Sequence, residues 1–152
     1  MGTYAIDTQG DVALVAATAK TVLNVVAATG SGLKVVELSV TFDGTSVTAE
    51  PVTVELTRST QATAGTSTAT TPAQVSGASR AALASGARAY TAEPTVVSVV
   101  KRWLVHPQAG LVLQFPLGRE PQQNTAGQAM GLRCTAPAGV NCQAYMEWTE
   151  DG

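Results

Sequence analysis

Apolar and polar residues alternate with a period of two over several stretches of the chain, which is the pattern of half-buried β-strands. The clearest stretch is residues 140–149, where one face is apolar and the other is polar. The apolar positions are Val140, Cys142, Ala144, Met146 and Trp148, and the polar ones are Asn141, Gln143, Tyr145, Glu147 and Thr149. Residues 130–134 alternate in the same way, with Met130, Leu132 and Cys134 on the apolar side. The pattern predicts two successive strands.

The connection between these two strands contains Pro137 and Gly139. Proline suits the first corner of a type I turn, and glycine suits the left-handed position of a three-residue hairpin loop. Such a loop would place Cys134 opposite Cys142 and bring both apolar faces to the same side. We therefore predict an antiparallel hairpin formed by residues 130–134 and 140–148.

Five further stretches are predicted as strands, because they alternate or are rich in β-branched residues. They are residues 18–27, 33–42, 52–57, 95–105 and 111–115. The stretch 95–105 is apolar almost throughout, which is typical of a strand covered on both faces. The length fits one domain, residues 1–152. Seven or eight strands separated by turn residues predict an all-β fold, a two-sheet antiparallel β-sandwich that is jelly-roll-like.

Residues 59–93 break this pattern, because they are mainly Ala, Thr, Ser and Gly without apolar periodicity. Long segments of this kind are either flexible surface loops or arms that become ordered on a partner. We predict a loop or arm at 59–93 and an N-terminal arm at 1–11, and under the arm interpretation both would reach a neighbouring molecule. The candidate contact residues in them are Thr3, Tyr4, Ile6, Arg80, Leu83, Arg88 and Tyr90.

The charge of the chain argues against a nucleic-acid partner. The formal net charge is -2, and the nine Lys and Arg residues are scattered, whereas a nucleic-acid binder needs a basic face to neutralise phosphates. No apolar run approaches the roughly 18 to 20 residues of a membrane span. The first residues lack the basic and apolar regions of a signal peptide, so we expect synthesis in the cytoplasm.

Few residues offer catalytic or metal chemistry, and we predict no enzyme activity, no metal and no cofactor. His106 is the only histidine, and its spacing gives it no nucleophile or carboxylate partner. Cys134 and Cys142 do not form a Cys-x-x-Cys redox motif. They are predicted as a pair of buried thiols, with a disulfide formed outside the cell as the alternative.

Four segments of the chain resemble a family of small proteins encoded among the virion structural genes of tailed bacteriophages and prophages. They are AATAKTVLNVVAATG (16–30), TFDGTSVTAEPVTVELTRST (41–60), EPTVVSVVKRWLVHPQAGLVLQFPLGRE (93–120) and GLRCTAPAGVNCQAYMEWTE (131–150). That family resembles head-decoration or minor capsid proteins. The resemblance implies a virion protein on the capsid surface, assembled in the host cytoplasm. It also implies the major capsid protein as partner and a homo-oligomer, with a trimer as the expected form.

Two other classes of function remain open from the sequence. One is a phage tail, receptor- or carbohydrate-binding module, which would present exposed aromatic side chains, with Trp103 and the three Tyr as candidates. The other is a hydrolase on a β-sandwich, which would need a cleft containing His106 or a carboxylate with a shifted pKa. We rank capsid decoration first, the binding module second and the enzyme third.

Overall fold

The computed structural model describes residues 1–43 and 50–150, and this part of the chain is almost entirely β-structure. A 3-10 turn, Gln61–Thr63, follows the fifth strand. The strands in chain order are β1 (Gly2–Asp7), β2 (Val12–Leu14), β3 (Lys20–Val26), β4 (Leu33–Asp43), β5 (Val52–Thr60), β6 (Thr66–Thr70), β7 (Ala73–Ser76), β8 (Ser85–Ala92), β9 (Thr95–Val105), β10 (Leu111–Gln114), β11 (Gln122–Gln123), β12 (Gln128–Thr135) and β13 (Val140–Glu150).

These strands form two antiparallel sheets. Sheet A has the order β10-β4-β13-β1-β7, with β11 also paired to β4 and β2 to β13. Sheet B has the order β6-β8-β3-β12-β5-β9. The predicted all-β, two-sheet sandwich is therefore confirmed, and the jelly-roll-like description stays a prediction.

The core lies between the two sheets and is built mainly from medium-sized aliphatic side chains. Its largest fully buried apolar members are Tyr4, Leu33, Leu38, Met146 and Trp148 from sheet A and Leu23, Leu56, Met130 and Leu132 from sheet B. Each such side chain contributes about 1.5–3 kcal/mol when it leaves water. Both sheets supply these residues, so neither buries its apolar face without the other.

The predicted hairpin between residues 130–134 and 140–148 is wrong. β12 pairs with β3 and β5 in sheet B, whereas β13 pairs with β4 and β1 in sheet A. β2 takes the place predicted for β12, because Leu14 lies opposite Val140 and Val12 opposite Cys142. The connection between β12 and β13 thus crosses from one sheet to the other, and Gly139 does not adopt the left-handed conformation that the hairpin required.

The predicted N-terminal arm at residues 1–11 is also wrong. β1 lies inside sheet A, between β13 and β7, with Gly2 opposite Glu150 and Asp7 opposite Tyr145. The backbone N–H of Thr8 continues this ladder by donating to the carbonyl of Ala144 at 3.1 Å. The pairing partner of β1 is distant in sequence, so residues 1–11 contain no local signal of this pairing.

The loop or arm predicted over residues 59–93 is largely strand. β6 and β8 form one edge of sheet B, and β7 forms an edge of sheet A. Only residues 77–84 remain as a longer connection without strand structure. β6 and β7 are exposed on nearly all their residues, and edge strands of this kind need no apolar alternation. Their composition therefore gave no strand signal.

The expectation that residues 95–105 form a strand covered on both faces is wrong. β9 is an edge strand that pairs only with β5, and most of its residues are exposed or half-buried. Val97 is 58% exposed and Leu104 is 72% exposed. The sequence of an apolar run does not show whether neighbouring elements cover its side chains.

The segment joining β8 to β9 crosses the outer face of sheet B. β8 pairs with β3, β9 pairs with β5, and β12 lies between these two partners. Ala89, with a left-handed φ of 51°, marks the point where β8 bends. Tyr90 then accepts a hydrogen bond from Asn24 Nδ2 at 3.1 Å, and the Glu93 carboxylate accepts one from the Thr21 N–H at 2.6 Å. This crossing explains why Asn24, on an outer face, is fully buried.

Candidate contact surfaces

Three of the seven contact residues predicted from the sequence lie in the interior. Tyr4 is 1% exposed, and Ile6 and Tyr90 are each 3% exposed. β1 directs Tyr4 and Ile6 into the core between the sheets. β8 directs Tyr90 against the outer face of sheet B, where its hydroxyl bonds to Asn24. The prediction that these three residues contact a partner is therefore wrong.

The residues predicted at 80–83 belong to a loop that Glu150 anchors. The carboxylate of Glu150 is buried, and it accepts hydrogen bonds from the backbone N–H groups of Leu83 and Ala84, each at 2.9 Å. It also accepts one from Trp148 Nε1 at 3.1 Å, and the Arg80 guanidinium lies 3.9 Å away. The loop 77–84 is thus fixed against the end of β13.

Tyr4 adds a second attachment to the same loop. Its hydroxyl donates to the carbonyl of Arg80 at 3.3 Å and accepts from Arg80 Nε at 3.1 Å. Its ring packs at a tilt against Trp148, with 6.3 Å between the centroids. Arg80 therefore holds the loop, and its guanidinium already has partners within the chain.

The remaining predicted contact residues are Thr3, Arg88 and Leu83. Thr3 is half-buried in β1, and Arg88 donates from its guanidinium to the carbonyl of Thr8 at 3.3 Å, which ties sheet B to the end of β1. Leu83 is 51% exposed in the anchored loop. Of the seven residues, Leu83 is the one whose large apolar side chain is available to a partner.

Further exposed apolar side chains lie along the side of the sandwich formed by β9, β10 and residues 116–118. They are Val97 and Leu104 on β9, Val112 on β10 and Leu117, which is 96% exposed. Leu104 lies opposite Thr53 on the outer face of sheet B, whereas Val112 lies opposite Ser39 on the outer face of sheet A. A turn at 106–110 joins β9 directly to β10, and Lys101 Nζ lies 5.6 Å from the centroid of the Phe115 ring. We call this surface the β9–β10 side. An edge that exposes several large apolar side chains is a candidate interaction site.

Two β-bulges decide how the β9–β10 side can make contact. Val97 and Val100 have no partner in β5, because the register shifts at both positions. Bulges twist an edge strand, and an exposed lysine such as Lys101 further disfavours the addition of another strand. The β9–β10 side therefore suits contact through side chains rather than extension of the sheet.

An ion-pair cluster of Glu55, Arg102 and Arg133 lies on the outer face of sheet B and carries a net positive charge. Glu55 is buried and accepts from Arg102 Nη2 at 2.7 Å and from Arg133 Nε at 3.0 Å. Burial of the Glu55 carboxyl raises its pKa, but the hydrogen bonds and charges of the two arginines outweigh burial and hold the pKa below its ordinary value. One carboxylate thus faces two guanidiniums.

Cys134 and Cys142 are buried free thiols that lie against each other, although β12 and β13 belong to different sheets. A hydrogen bond with Cys142, together with burial, raises the pKa of the Cys134 thiol well above its ordinary value. Because the thiolate is the reactive form of cysteine, burial and the raised pKa of Cys134 together make the pair unreactive in the folded protein. Alternation predicted their burial, and the predicted hairpin was not needed to bring them together.

We expect the native chain to react with a thiol reagent at least about 100-fold more slowly than the chain unfolded in denaturant, because the reagent needs an exposed thiolate. The measurement is the rate of release of the coloured thiolate from a disulfide reagent under both conditions. Equal rates would show that the pair is accessible. A single mass peak lacking two protons, after reduction has been omitted, would instead show a disulfide.

The other candidates for chemistry are isolated from one another. His106 is exposed in the turn after β9, and its Nδ1 accepts from the backbone N–H of Gln108 at 3.2 Å. Trp103 is half-buried and packs against the core. Within residues 1–43 and 50–150, no group of three or more His, Cys, Asp or Glu side chains could hold a metal ion. No helix in this part of the chain has the length and apolar character to cross a membrane.

Comparisons with protein-family models, with curated proteins and with solved structures give no match to this chain.

Proposed function

We propose that this chain is a non-enzymatic structural protein of a virion, which binds the outer surface of a tailed-phage capsid through its β9–β10 side. The observation that carries the proposal is the exposure of large apolar side chains along β9, β10 and residues 116–118, the edge of the sandwich at which both sheets end. The capsid as partner comes from the resemblance of the four sequence segments to phage virion proteins. The major capsid protein is accordingly the proposed partner.

The chemistry of the β9–β10 side fits a permanent contact with another protein. Apolar side chains supply most of the free energy of association when they leave water, and Lys101 and Arg102 add charges that orient the docking. A decoration protein needs only modest affinity per copy if copies are joined, because linked sites gain from multivalency. We therefore include in the proposal a cyclic homotrimer centred on a local symmetry axis of the shell.

The test compares Leu104→Asp with Leu83→Asp in binding to purified heads that lack the chain. Leu104 lies on the β9–β10 side and Leu83 on the anchored loop that the sequence had favoured, and both side chains are exposed. We expect Leu104→Asp to lower the occupancy of heads at least about 10-fold, because it replaces an apolar contact by a buried charge. Leu83→Asp should bind as the unchanged chain does. Co-sedimentation followed by quantitative protein analysis gives copies per head.

Both variants should keep the melting temperature of the unchanged chain, since neither side chain is part of the core. If Leu83→Asp abolishes occupancy and Leu104→Asp does not, the contact surface is the 77–84 loop. If the unchanged chain does not bind heads, or binds in a few copies restricted to tails, capsid decoration is rejected. Copy numbers in multiples of three that follow the symmetry of the shell would support the trimer.

A further inference from the structure

The outer face of sheet A contains a groove whose lining residues are not among those proposed to contact the capsid. Two adjoining hollows of about 360 and 380 Å³ lie along β1 and β13, and both are lined by Asp7, Gln9 and Tyr145. The first hollow continues over β4, and the second continues towards β7. We call the two together the sheet A groove. It lies on a different face from Leu104 of β9, and on its β4 side it borders β10, where Val112 lies opposite Ser39.

Tyr145 is the aromatic centre of this groove. It stands on the outer face of β13, opposite Asp7 on β1 and Ser39 on β4. Its hydroxyl donates to Glu147 Oε2 at 2.7 Å, which fixes the side chain. Burial and this hydrogen bond raise the pKa of Tyr145, so the ring stays neutral. A fixed, half-buried ring between two hollows offers a flat apolar surface to a ligand in either one.

The polar groups around the ring can both donate and accept hydrogen bonds. Ser39, Thr41 and Gln143 line the first hollow, and Thr70 and Thr71 line the second. Two of the amides are held in place from within the chain, since Gln143 donates to Asp11 at 2.8 Å and Gln9 donates to Thr70 Oγ1 at 3.0 Å. Hydroxyls and oriented amides beside an aromatic ring match a ligand that carries many hydroxyl groups on a ring with an apolar face.

The charge of the groove selects among such ligands. Asp7 lines both hollows, and Glu147 adjoins Tyr145. Within the described part of the chain, neither Lys nor Arg lines either hollow. A carboxylate or sulfate on the ligand would therefore meet repulsion without a compensating cation. The groove favours neutral sugars over acidic ones.

We propose that the sheet A groove binds a neutral saccharide, with a sugar ring stacked on Tyr145 and its hydroxyls bound by Asp7, Gln9 and Gln143. The proposal is independent of capsid binding. Chains that decorate a shell would present this groove many times over, so weak binding to a polysaccharide would be multiplied by valency.

The experiment screens the full-length chain on an array of neutral, sialylated and sulfated oligosaccharides. The neutral oligosaccharide that binds best is then titrated in the millimolar range and followed by NMR chemical shifts. We expect Tyr145→Ala to weaken binding roughly 10-fold, since loss of stacking and of buried ring area removes at least this much. Tyr145→Phe, which keeps the ring, should bind within about threefold of the unchanged chain, the size of a single weak hydrogen bond.

Two further variants keep the test decisive if Tyr145→Ala does not fold. Gln143 is exposed, so Gln143→Ala should fold normally and still weaken binding. Trp103→Phe changes the aromatic residue on the β9–β10 side and should leave binding unchanged. The proposal is overturned if no neutral oligosaccharide binds, if acidic ones bind better, or if Trp103→Phe weakens binding while the groove variants do not.

Discussion

Replacing Glu150 with alanine is expected to lower the free energy of unfolding by about 3 kcal/mol, because it removes a buried acceptor of several hydrogen bonds. The backbone N–H groups of Leu83 and Ala84 lose their partner, and so does Trp148 Nε1. Arg80 would also lose the carboxylate that lies 3.9 Å from its guanidinium. The melting transition in denaturant measures the loss. The loop 77–84 should also detach before the sandwich unfolds.

Detachment of the loop has its own readout, because trypsin cuts after arginine and Arg80 lies in the loop. We expect the Arg80–Ala81 bond to be resistant in the unchanged chain and to be cut rapidly in Glu150→Ala. Glu147→Ala is the matched control, since Glu147 is a half-buried glutamate on the same strand. It should cost less than about 1 kcal/mol and leave the loop protected. Equal cleavage of both variants would contradict the role given to Glu150.

Replacing Gly131 with alanine is expected to lower the free energy of unfolding by about 3 kcal/mol, because β3 leaves no room for a methyl group at this position of β12. A Cβ atom at this position would lie 2.7 Å from the carbonyl oxygen of Leu23 and would overlap the side-chain oxygen of Asn24. Asn24 cannot move away freely, since its Nδ2 donates to Ser59 Oγ at 3.2 Å and to the Tyr90 hydroxyl at 3.1 Å. The substitution should therefore disturb both β3 and the segment crossing over it.

Gly139→Ala provides the comparison for this variant. A Cβ atom at Gly139 would lie 3.6 Å from the carbonyl oxygen of Leu14, which is ordinary contact. Its φ is outside the left-handed region, so we expect a change within about 0.5 kcal/mol. Denaturant unfolding of the two variants side by side measures the difference. Similar stabilities would show that β12 can shift away from Asn24.

The alternation of residues 130–134 and 140–148 predicted the strands and their buried faces, but it could not predict their pairing. In a sandwich, two apolar faces meet across the core as well as beside each other within one sheet. Cys134 and Cys142 come together in either arrangement, so their proximity did not discriminate between them. The sequence contains no local signal that β2, more than a hundred residues earlier, would occupy the place predicted for β12.

For the candidate surfaces too, the local sequence pattern predicted the face of a strand on which a side chain lies, but not the residues that surround it in the fold. Alternation already placed Tyr145 on the polar face of its strand, which is where the structure has it. The groove itself could not be predicted, because Asp7 and Ser39 reach Tyr145 only through the pairing of β1 and β4 with β13. The apolar stretch 95–105 was recognised, but its exposure depends on β9 having β5 as its single neighbour.

The position of β13 at the centre of sheet A has a consequence for the order of folding. β13 pairs on its two sides with β4 and with β1, so sheet A lacks its middle until residues 140–150 have left the ribosome. Sheet B has all its strands once Thr135, the last residue of β12, has been added. Its inner face still lacks a complete sheet A to pack against at that point. Domains with such distant pairings fold slowly and leave apolar surfaces exposed while they wait. We therefore expect the nascent chain to stay open to chaperones until β13 inserts between β1 and β4.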